Sequence, residues 1–555
     1  MRTVLLCFLL PVALAAQSDT AALRQVLADY RDYDPYDSTN VWGVAGEEAL
    51  SARADRLRDF RGRLEGLRNL PEAERAEADL LAFVLDDAVY RLDFGDHRFP
   101  LDAEGGFLAG IVYRFGNRRV RTPEQLARYL HELETLPDYF RAQQAAMARG
   151  LEEGKTNPPR VVTLVADLVD RTVADPVAAS VFHQPVADYP AGVTAVDSLI
   201  EAAVYPAYRE LGAYLRDDYL PALPPELGIG SITDGKDYYA QRVRYFTTDD
   251  VTPEEVFATG EREVARIRAE MEEVMAETGF TGTFAEFLEF LRTDPRFYPE
   301  SPEALLERAA WITKRMEALL PRYFDRLPRM PLTVAPVPAA LAPNYTGGRY
   351  SPGSYRDRRA GAFWVNTYDL PSRPYYTLTA LALHEGVPGH HTQMMLSAEL
   401  EGMSDFRRGL YLSAFGEGWA LYAEYLGEEA GMYATPYDRF GRLTYEMWRA
   451  CRLVVDPGIH YYGWSRERAV AFMAGNTALS MHEVNTEVDR YIGWPGQAVS
   501  YKMGELKIRA LRQRAEKALG EEFDLAAFHS LILSRGAVTL TQLEGMVDAW
   551  IAGQQ

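Results

Sequence analysis

Apolar residues recur three and four positions apart through most of the chain between residues 17 and 325. This is the period of an amphipathic α-helix, and the segment Ala73–Phe94 (AERAEADLLAFVLDDAVYRLDF) shows it throughout. We therefore predict a mainly α-helical protein, in which residues 17–325 form a helical N-terminal part that lines one wall of a cleft.

Helix starts are marked by a capping residue, a proline in the first turn and an acid or amide shortly after it. Thr122–Gln125 and Thr252–Glu255 carry the complete signal, and Ser301–Glu303 carries a shorter version. Each of them opens a long amphipathic run. By contrast, Asp96–Val120 and Val173–Gly192 are predicted to be loops between the helices.

The pattern changes after Arg329, where short β-branched and aromatic runs are separated by proline and glycine. The runs are Met330–Pro338, Tyr345–Tyr350 and Gly361–Thr367. They predict the strands of a small sheet. We expect residues 326–555 to form a second part of the protein, made of this sheet and the helices that follow it.

The composition is that of an ordinary soluble globular protein, with 47% hydrophobic and 25% charged residues. The formal net charge of -21 disfavours nucleic acid and anionic membrane surfaces as partners, because both repel an acidic protein. Beyond the N-terminus, no apolar stretch approaches the roughly 18 residues that a membrane helix needs. The composition leaves the oligomeric state open.

Residues 1–16 (MRTVLLCFLLPVALAA) combine Arg2 with an apolar run and an A-x-A pattern of small residues at the end. This is typical of a secretory signal peptide, so we expect a protein that is exported to the periplasm or the extracellular space. Cys7 lies inside the apolar run rather than at its end, which disfavours a lipid anchor. Removal of the segment leaves Cys451 as the only cysteine, so no internal disulfide can form.

The segment Leu381–Gln393 (LALHEGVPGHHTQ) contains His384, Glu385, His390 and His391, although the whole chain has only 9 histidines. Neutral imidazoles beside carboxylates are ligands that suit zinc. We therefore predict a metal site that holds one zinc ion per chain. Glu385 is the predicted general base, which takes a proton from the attacking water and passes it to the leaving amine.

The spacing of these histidines differs from that of the H-E-x-x-H helix, in which the two ligands lie four positions apart. His390 is six positions after His384, about 600° of helix, and would point away from the first ligand. His391 is back in phase but about 10 Å further along the axis. Pro388 interrupts helical hydrogen bonding, and the glycines beside it accept unusual backbone angles. A bulge of about two residues would bring His390 beside His384, with His391 as the alternative ligand.

The segment Ser413–Leu426 (SAFGEGWALYAEYL) predicts a helix that carries Glu417 and Glu424 on one otherwise apolar face. A carboxylate on such a face is costly unless it is paired or bound to a metal. Glu417 follows His390 by 27 residues, which is enough for a turn and an antiparallel return helix. We assign Glu417 as the third metal ligand and Glu424 as its supporting partner or substitute.

Further candidates for catalysis and substrate binding lie downstream. Arg449 and Arg452 could bind a substrate carboxylate, which would make the protein a carboxypeptidase or a dipeptidase, or they could pair with Asp456. His460 and Tyr501 are candidate donors to the oxyanion that forms when water attacks a carbonyl.

A strand at the edge of a sheet beside the metal helix can pair with the extended backbone of a peptide substrate. We assign this role to Ala362–Asn366, with Asn366 as a substrate-binding residue. The alternative is that the strands only cover the metal helix.

Four segments, in this order, resemble the bacterial family known as domain of unknown function 885: HEGVPGHHTQ, GEGWALYAE, RLVVDPGIH and SYKMGELKI. More distantly, the family resembles the gluzincin metallopeptidases such as thermolysin and angiotensin-converting enzyme. That resemblance implies a mainly helical, zincin-like fold with a small sheet beside the active-site helix. It also implies His384, His390 and Glu417 as zinc ligands and Glu385 as the base. The motif is two residues longer than H-E-x-x-H, which leaves His391 as the other possible second ligand.

Taken together, these features predict a zinc metallopeptidase that cleaves short peptides. Two alternatives remain. One is a metallohydrolase of non-peptide amides or esters, and the other is an exported protein that binds peptide or metal without turnover. The sequence does not distinguish an endopeptidase from an exopeptidase.

Overall fold

The computed structural model describes residues 3–33, 42, 46–116, 118–338, 342 and 345–554, and 72% of it is helical. The prediction of a mainly α-helical protein is therefore confirmed. The helices are, in chain order, α1 (Thr3–Asp32), α2 (Glu47–Glu65), α3 (Glu72–Phe94), α4 (Phe107–Gly116), α5 (Pro123–Glu153), α6 (Pro159–Ala174), α7 (Pro190–Leu199), α8 (Tyr205–Ala213), α9 (Leu220–Ala222), α10 (Gly235–Thr247), α11 (Pro253–Glu277), α12 (Phe284–Thr293), α13 (Pro302–Glu317), α14 (Tyr375–Glu385), α15 (His390–Ala398), α16 (Asp405–Gly409), α17 (Ser413–Glu429), α18 (Pro436–His460), α19 (Arg466–Asn476), α20 (Met481–Gly493), α21 (Ser500–Leu519), α22 (Leu525–Leu533) and α23 (Leu540–Gln554).

The helix starts follow the capping signals of the sequence. The Thr122 hydroxyl accepts a hydrogen bond from the backbone N–H of Gln125 at the start of α5. Thr252 and Glu255 form a reciprocal capping box at the start of α11. Ser301 caps α13 in the same way as Thr122 caps α5. These local signals were sufficient because a cap involves residues only three positions apart.

One of the two predicted loops contains a helix. Within Asp96–Val120, α4 buries Leu108, Ile111 and Phe115 against its own unit of the protein. The three residues follow the helical period, but the run is only 10 residues long and has no capping signal. The prediction of a loop was wrong there, since burial of this apolar face stabilises a helix that is marginal by itself.

The chain forms two compact units, Met1–Tyr238 with Asp489–Trp494, and Tyr239–Val488 with Pro495–Gln555. The first continuous segment of the first unit therefore ends at residue 238, and residues 239–325 lie in the second unit. Residues 239–322 belong with the C-terminal helices because α11 packs closely on α18. A Cβ on Gly260 of α11 would lie 2.7 Å from the Cβ of Leu453. Arg266 of α11 also pairs with the buried Glu446 of α18.

Three short strands form one sheet in the second unit: β1 (Leu332–Pro336), β2 (Gly348–Ser351) and β3 (Gly361–Val365). The strand order is β1-β3-β2, with β3 parallel to β1 and antiparallel to β2. The small sheet is thus confirmed. Its central strand is β3, and both faces of that strand are largely buried.

The N-terminal segment continues directly into the first helix. Residues 3–16 of the predicted signal peptide form the first part of α1, and the side chains of residues 1–16 lie outside the described part of the structure. The signal peptide therefore stays a prediction. Of the helices in the described part of the chain, none combines the length and the apolar character needed to span a bilayer.

Candidate metal centre

A connection of four residues separates α14 from α15 and interrupts the helix at Pro388. The indole N–H of Trp419 donates to the carbonyl of Pro388 at 2.9 Å, which ties the connection to α17. Gly389 has no room for a side chain, because a Cβ there would lie 2.0 Å from the carbonyl oxygen of His384. The predicted kink is therefore stabilised by the hydrogen bond from Trp419 and by the close backbone packing at Gly389.

This kink brings His384, His390 and Glu417 together, with one ligand atom from each within 4.8 Å of the others. Oε2 of Glu417 lies 3.4 Å from Nε2 of His384 and 3.3 Å from Nε2 of His390. Zinc bonds of about 2.0–2.1 Å in a tetrahedron place neighbouring ligand atoms about 3.3 Å apart. The spacing of the three side chains therefore fits a zinc ion.

His384 presents Nε2 to this common point because its other ring nitrogen is occupied. The Nδ1–H group of His384 donates a hydrogen bond of 2.8 Å to Oε1 of the buried Glu424. Such a carboxylate partner fixes the tautomer of a metal-binding histidine. Burial lowers the pKa of His384, but the hydrogen bonds to Glu417 and Glu424 outweigh this effect and raise the pKa to about 9. The site therefore attracts a cation.

His391, the alternative second ligand, points away from this site. Its Nδ1 accepts a hydrogen bond from the hydroxyl of Tyr350 at 3.0 Å, and its Nε2 donates to the carbonyl of Met330 at 3.0 Å. Burial is the main cause that lowers the pKa of His391. Both ring nitrogens are thus used in holding α15 to the sheet, and His390 is the histidine beside His384.

Glu417 is the carboxylate that completes the group. Its Oε1 accepts a hydrogen bond from the hydroxyl of Tyr411 at 2.7 Å, so that Oε2 is the oxygen directed at the histidines. Burial raises the pKa of Glu417, but the charge of His390 and the hydrogen bonds from both histidines hold it well below its usual range. The carboxyl is therefore ionised, as a metal ligand must be.

The position of Glu417 depends on a close approach between α17 and α21. A Cβ on Gly418 would lie 2.6 Å from Cα of Gly504, and a Cβ on Gly504 would lie 2.0 Å from the carbonyl oxygen of Ala414. Only glycine permits this backbone contact. The two glycines therefore set the distance between α17 and α21, and this distance fixes the position of Glu417.

Glu385 follows the first histidine at the end of α14 and is 8% exposed. Its Oε2 accepts a hydrogen bond from the backbone N–H of Tyr350 in β2 at 2.8 Å. The N–H of Tyr350 is thus directed at Glu385 rather than at β3. This contact places β2, an edge strand, directly beside the predicted base.

The substrate-pairing strand was assigned wrongly in the sequence analysis. Ala362–Val365 belong to β3, which already pairs with β1 on one side and β2 on the other. Asn366 is fully buried, and its side-chain amide donates to the carbonyls of Ala342, Tyr345 and Thr346. The amide therefore holds the segment that leads into β2, which leaves no substrate contact for it.

The two downstream arginines are buried in ion pairs. Arg449 is 4% exposed and lies 3.6 Å from Oε1 of Glu424, the carboxylate that orients His384. Arg452 is 2% exposed and pairs with Glu487 at 2.9 Å. Arg449 therefore contacts the candidate metal centre through Glu424, on the side of His384 that faces away from the common point.

The two candidate oxyanion donors differ in their surroundings. His460 is 1% exposed, and its ring packs on that of Tyr239 with 5.3 Å between ring centres. Tyr501 is partly exposed, and the guanidinium of Arg452 lies 4.3 Å from its ring centre. Of the two, Tyr501 is the one with an accessible side chain.

Tyr411 and the backbone of Tyr350 are contacts that the sequence analysis missed. Tyr411 lies six residues before Glu417, just outside α17, and a search of the motif's flanks for hydrogen-bond donors would have included it. The chain has 33 tyrosines, which makes such a signal weak. The N–H of Tyr350 carries no signal at all, because every residue except proline has one.

Similarity to known proteins extends over nearly the whole chain. The sequence profile of the family described as "Bacterial protein of unknown function (DUF885)" matches residues 28–547. None of the curated proteins compared with the chain matches it.

Solved structures that resemble this one include two bacterial proteins. A "putative lipoprotein" from Colwellia psychrerythraea is 26% identical in sequence, with a TM-score of 0.85 and 98% of each chain covered. A "putative lipoprotein of unknown function" from Shewanella oneidensis is 18% identical, with a TM-score of 0.72, over 96% of this chain and 99% of that one. The fold is thus shared over almost the full length of both relatives.

Proposed function

The chain belongs to DUF885, a family of bacterial proteins of unknown function, and we propose that it is a zinc metallopeptidase of zincin-like fold that cleaves short peptides. The supporting observation is the convergence of His384, His390 and Glu417 at distances that suit zinc, with Glu385 beside them. The motif's two extra residues are absorbed by the connection between α14 and α15. The proposal includes one zinc ion per chain.

His384, His390 and Glu417 would hold the metal, which leaves a fourth position open, as in catalytic zinc sites. When bound there, zinc polarises the carbonyl of a substrate and lowers the pKa of water. The donor set supports this choice, because two neutral imidazoles and one carboxylate are the ligands of several catalytic zinc centres.

Glu385 is the proposed general base. The N–H of Tyr350 binds its Oε2, which leaves the other carboxylate oxygen to accept a proton from water and to deliver it to the leaving amine. The same hydrogen bond restricts the orientation of the carboxylate. Tyr501 is the proposed donor to the oxyanion of the tetrahedral intermediate.

The proposed track for the substrate backbone is the outer edge of β2. This strand has β3 on one side only, and Tyr350 brings it against Glu385. An extended peptide can add to such an edge through main-chain hydrogen bonds. The role first assigned to β3 is therefore proposed for β2.

An exported location is part of the proposal. Both structural relatives carry the description "putative lipoprotein", and residues 1–16 have the pattern of a secretory signal. We place the mature protein in the periplasm or the extracellular space, with no nucleic-acid partner and no insertion into the membrane.

The decisive experiment replaces the base. Zinc-loaded wild type is assayed on a library of short peptides beside Glu385→Gln, with Glu401→Gln as a control at an exposed carboxylate. We expect Glu385→Gln to lower the rate of hydrolysis about 100- to 10,000-fold, since general-base catalysis contributes on that order. Zinc content should stay near one ion per chain in all three proteins, and Glu401→Gln should behave as wild type.

The same assay separates the alternatives. Turnover of amide or ester libraries without turnover of any peptide would favour a non-peptide metallohydrolase. Equal behaviour of wild type and Glu385→Gln on every substrate would favour a protein that binds peptide or metal without catalysis.

A further inference from the structure

A cavity of about 180 Å³, here called the α14 cavity, lies beside α14 in the second unit. Its walls are mostly apolar and aromatic, and they include Leu378 and Leu381 of α14 and Tyr445 of α18. Three charged side chains also line it, namely Arg292, Arg373 and Glu483. The assignment of the metal centre uses none of these three.

Both arginines are fixed in place by backbone carbonyls rather than by carboxylates. Arg373 donates from Nε to the carbonyl of Asn366 at 3.2 Å and from Nη1 to that of Ser372 at 3.3 Å. Arg292 donates to the carbonyls of Leu479, Ala474 and Thr477. Carbonyls orient a guanidinium without neutralising its charge.

In the part of the chain that the structure describes, neither guanidinium forms an ion pair at contact distance. Within the described ranges of the chain, no carboxylate lies within 4.0 Å of Arg292 or Arg373. Burial lowers the pKa of Arg292, which shows that its charge is partly withdrawn from water. Both arginines are partly buried, and a partly buried cation whose partners are neutral carbonyls gains stability when an anion joins the site. The cavity is therefore suited to an anionic group that arrives with a ligand.

Glu483, the one acid of the cavity, does not supply that anion. Burial raises the pKa of Glu483 to about 7, although Arg373 acts in the opposite direction. Near neutral pH a large fraction of this carboxyl is therefore protonated, and in that form it donates a hydrogen bond. It can then share a ligand's oxygen with the arginines instead of repelling it.

The position of the cavity connects it to the proposed active site. Leu381 and Thr377 line the cavity and lie three and seven positions before His384, on the same face of α14. That spacing corresponds to about 5–10 Å along the helix axis. Gly347, just before β2, also lines the cavity, three positions before Tyr350. The α14 cavity thus adjoins the start of β2, and Tyr350, which binds Glu385, follows Gly347 by about 10 Å of extended chain.

We propose that the α14 cavity is a subsite that binds a carboxylate of the peptide substrate, with Arg373 as its main contact and Arg292 as a second cation. The inference rests on the proposed peptidase function. A free C-terminus and an acidic side chain two to three residues from the cleaved bond both supply this group. Planar guanidinium groups recognise carboxylates by paired, charge-assisted hydrogen bonds, which makes arginine suited to this role.

The test measures binding and cleavage separately. Each peptide of a di- to hexapeptide library is made as a C-terminal acid and as a C-terminal amide, with and without one Asp or Glu. Binding is measured by calorimetry with zinc-loaded Glu385→Gln protein, and cleavage with zinc-loaded wild type. Both are repeated with Arg373→Gln, with Arg373→Lys, and with Arg356→Gln as a control at an exposed arginine.

We expect peptides that carry the recognised carboxylate to bind at least 10-fold more tightly than matched peptides that lack it. In Arg373→Gln this difference in affinity should fall to less than threefold. Arg373→Lys should retain part of this difference in affinity, because lysine keeps the positive charge but lacks the paired N–H donors of the guanidinium. Arg356→Gln should keep all of it. Preference for the acid in peptides without Asp or Glu identifies the C-terminus as the source, and preference for Asp or Glu in amidated peptides identifies the side chain.

The outcomes distinguish this inference from the function on which it rests. Cleavage of acids and amides at equal rates, with equal binding, would overturn the carboxylate subsite and leave the peptidase standing. Arginine-dependent binding of acids without any cleavage would overturn the peptidase and retain the carboxylate site. Absence of both would overturn both. The comparison of acids with amides uses wild type and Glu385→Gln, so equal binding overturns the subsite even where Arg373→Gln does not fold, and Arg373→Lys then tests the assignment to the α14 cavity.

Discussion

Hydrogen bonds behind the candidate ligands determine which atom each ligand presents. Glu424 accepts from Nδ1 of His384 and leaves Nε2 to face the site. Tyr411 binds one oxygen of Glu417 and leaves the other to face the histidines. Such partners orient a ligand before the metal arrives, which lowers the cost of binding.

Tyr411→Phe removes one of these partners and tests its role. Loss of the hydroxyl frees Glu417 to rotate, so we expect zinc affinity to fall about 10- to 100-fold. Competition with a chromophoric chelator measures it. The matched control is Tyr462→Phe, because Tyr411 and Tyr462 are both 47% exposed. If Tyr411→Phe and the control bind zinc equally well, the hydroxyl has no part in orienting Glu417.

At the scale of elements, the site depends on the contact between α17 and α21. These helices approach so closely that backbone atoms touch at Gly418 and Gly504. The ligand on α17 and Tyr501 on α21 are thereby held at a constant separation. A helix crossing of this kind transmits any change in spacing directly to the side chains beside it.

Gly504→Ala tests this crossing. The added methyl group would meet the carbonyl oxygen of Ala414 at 2.0 Å, so the helices must separate. We expect the free energy of unfolding to fall by about 1–3 kcal/mol, as in other overpacked interiors, together with weaker zinc binding. Chemical denaturation and zinc titration measure the two effects.

The control for this prediction is Gly545→Ala in α23, where a Cβ would meet nothing within 4 Å. Alanine favours a helix over glycine by about 1 kcal/mol, so this variant should be as stable as wild type or slightly more stable. Unchanged stability and zinc affinity in both variants would contradict the role of the crossing.

For the whole molecule, zinc should contribute to stability as well as to chemistry. The chain has no internal disulfide in the described part of the structure, where Cys451 is free and buried. The site joins the kinked pair α14 and α15 to α17, whose Glu417 follows His390 by 27 residues. A ligand that binds only the folded state stabilises it by mass action.

We expect zinc at 100 times its dissociation constant to raise the free energy of unfolding by about 2.7 kcal/mol. Thermal unfolding should therefore shift upward with zinc and return with a chelator. His384→Ala, which lacks one ligand, should show neither shift. An equal zinc response in wild type and His384→Ala would place the stabilising ion elsewhere.

Much of the candidate site could be predicted from the sequence because it depends on local chemistry. Pro388 removes a helical hydrogen bond between two glycines, and the resulting break between α14 and α15 brings His390 to the face of His384. Glu417 and Glu424 share a helical face by their spacing alone. The same locality explains the confirmed helix caps at Thr122, Thr252 and Ser301.

The errors concern properties that depend on distant parts of the chain. Residues of β3 have the composition of any strand, so only its pairing with both β1 and β2 shows that it is central. Arg449 and Arg452 looked available for substrate, but Glu424 and Glu487, from other helices, engage them. Arg373 gave no signal in the sequence, because its proposed role depends on the cavity that it lines.

The sequence by itself determined the helical class, the helix starts, the interrupted histidine motif and the common helical face of Glu417 and Glu424, since each of these depends on residues that are near neighbours in the chain. The tertiary structure decided which strand is free at the edge, which arginines are neutralised, and which histidine turns toward the sheet. Those outcomes depend on burial and pairing between segments far apart in sequence, and no local pattern encodes them.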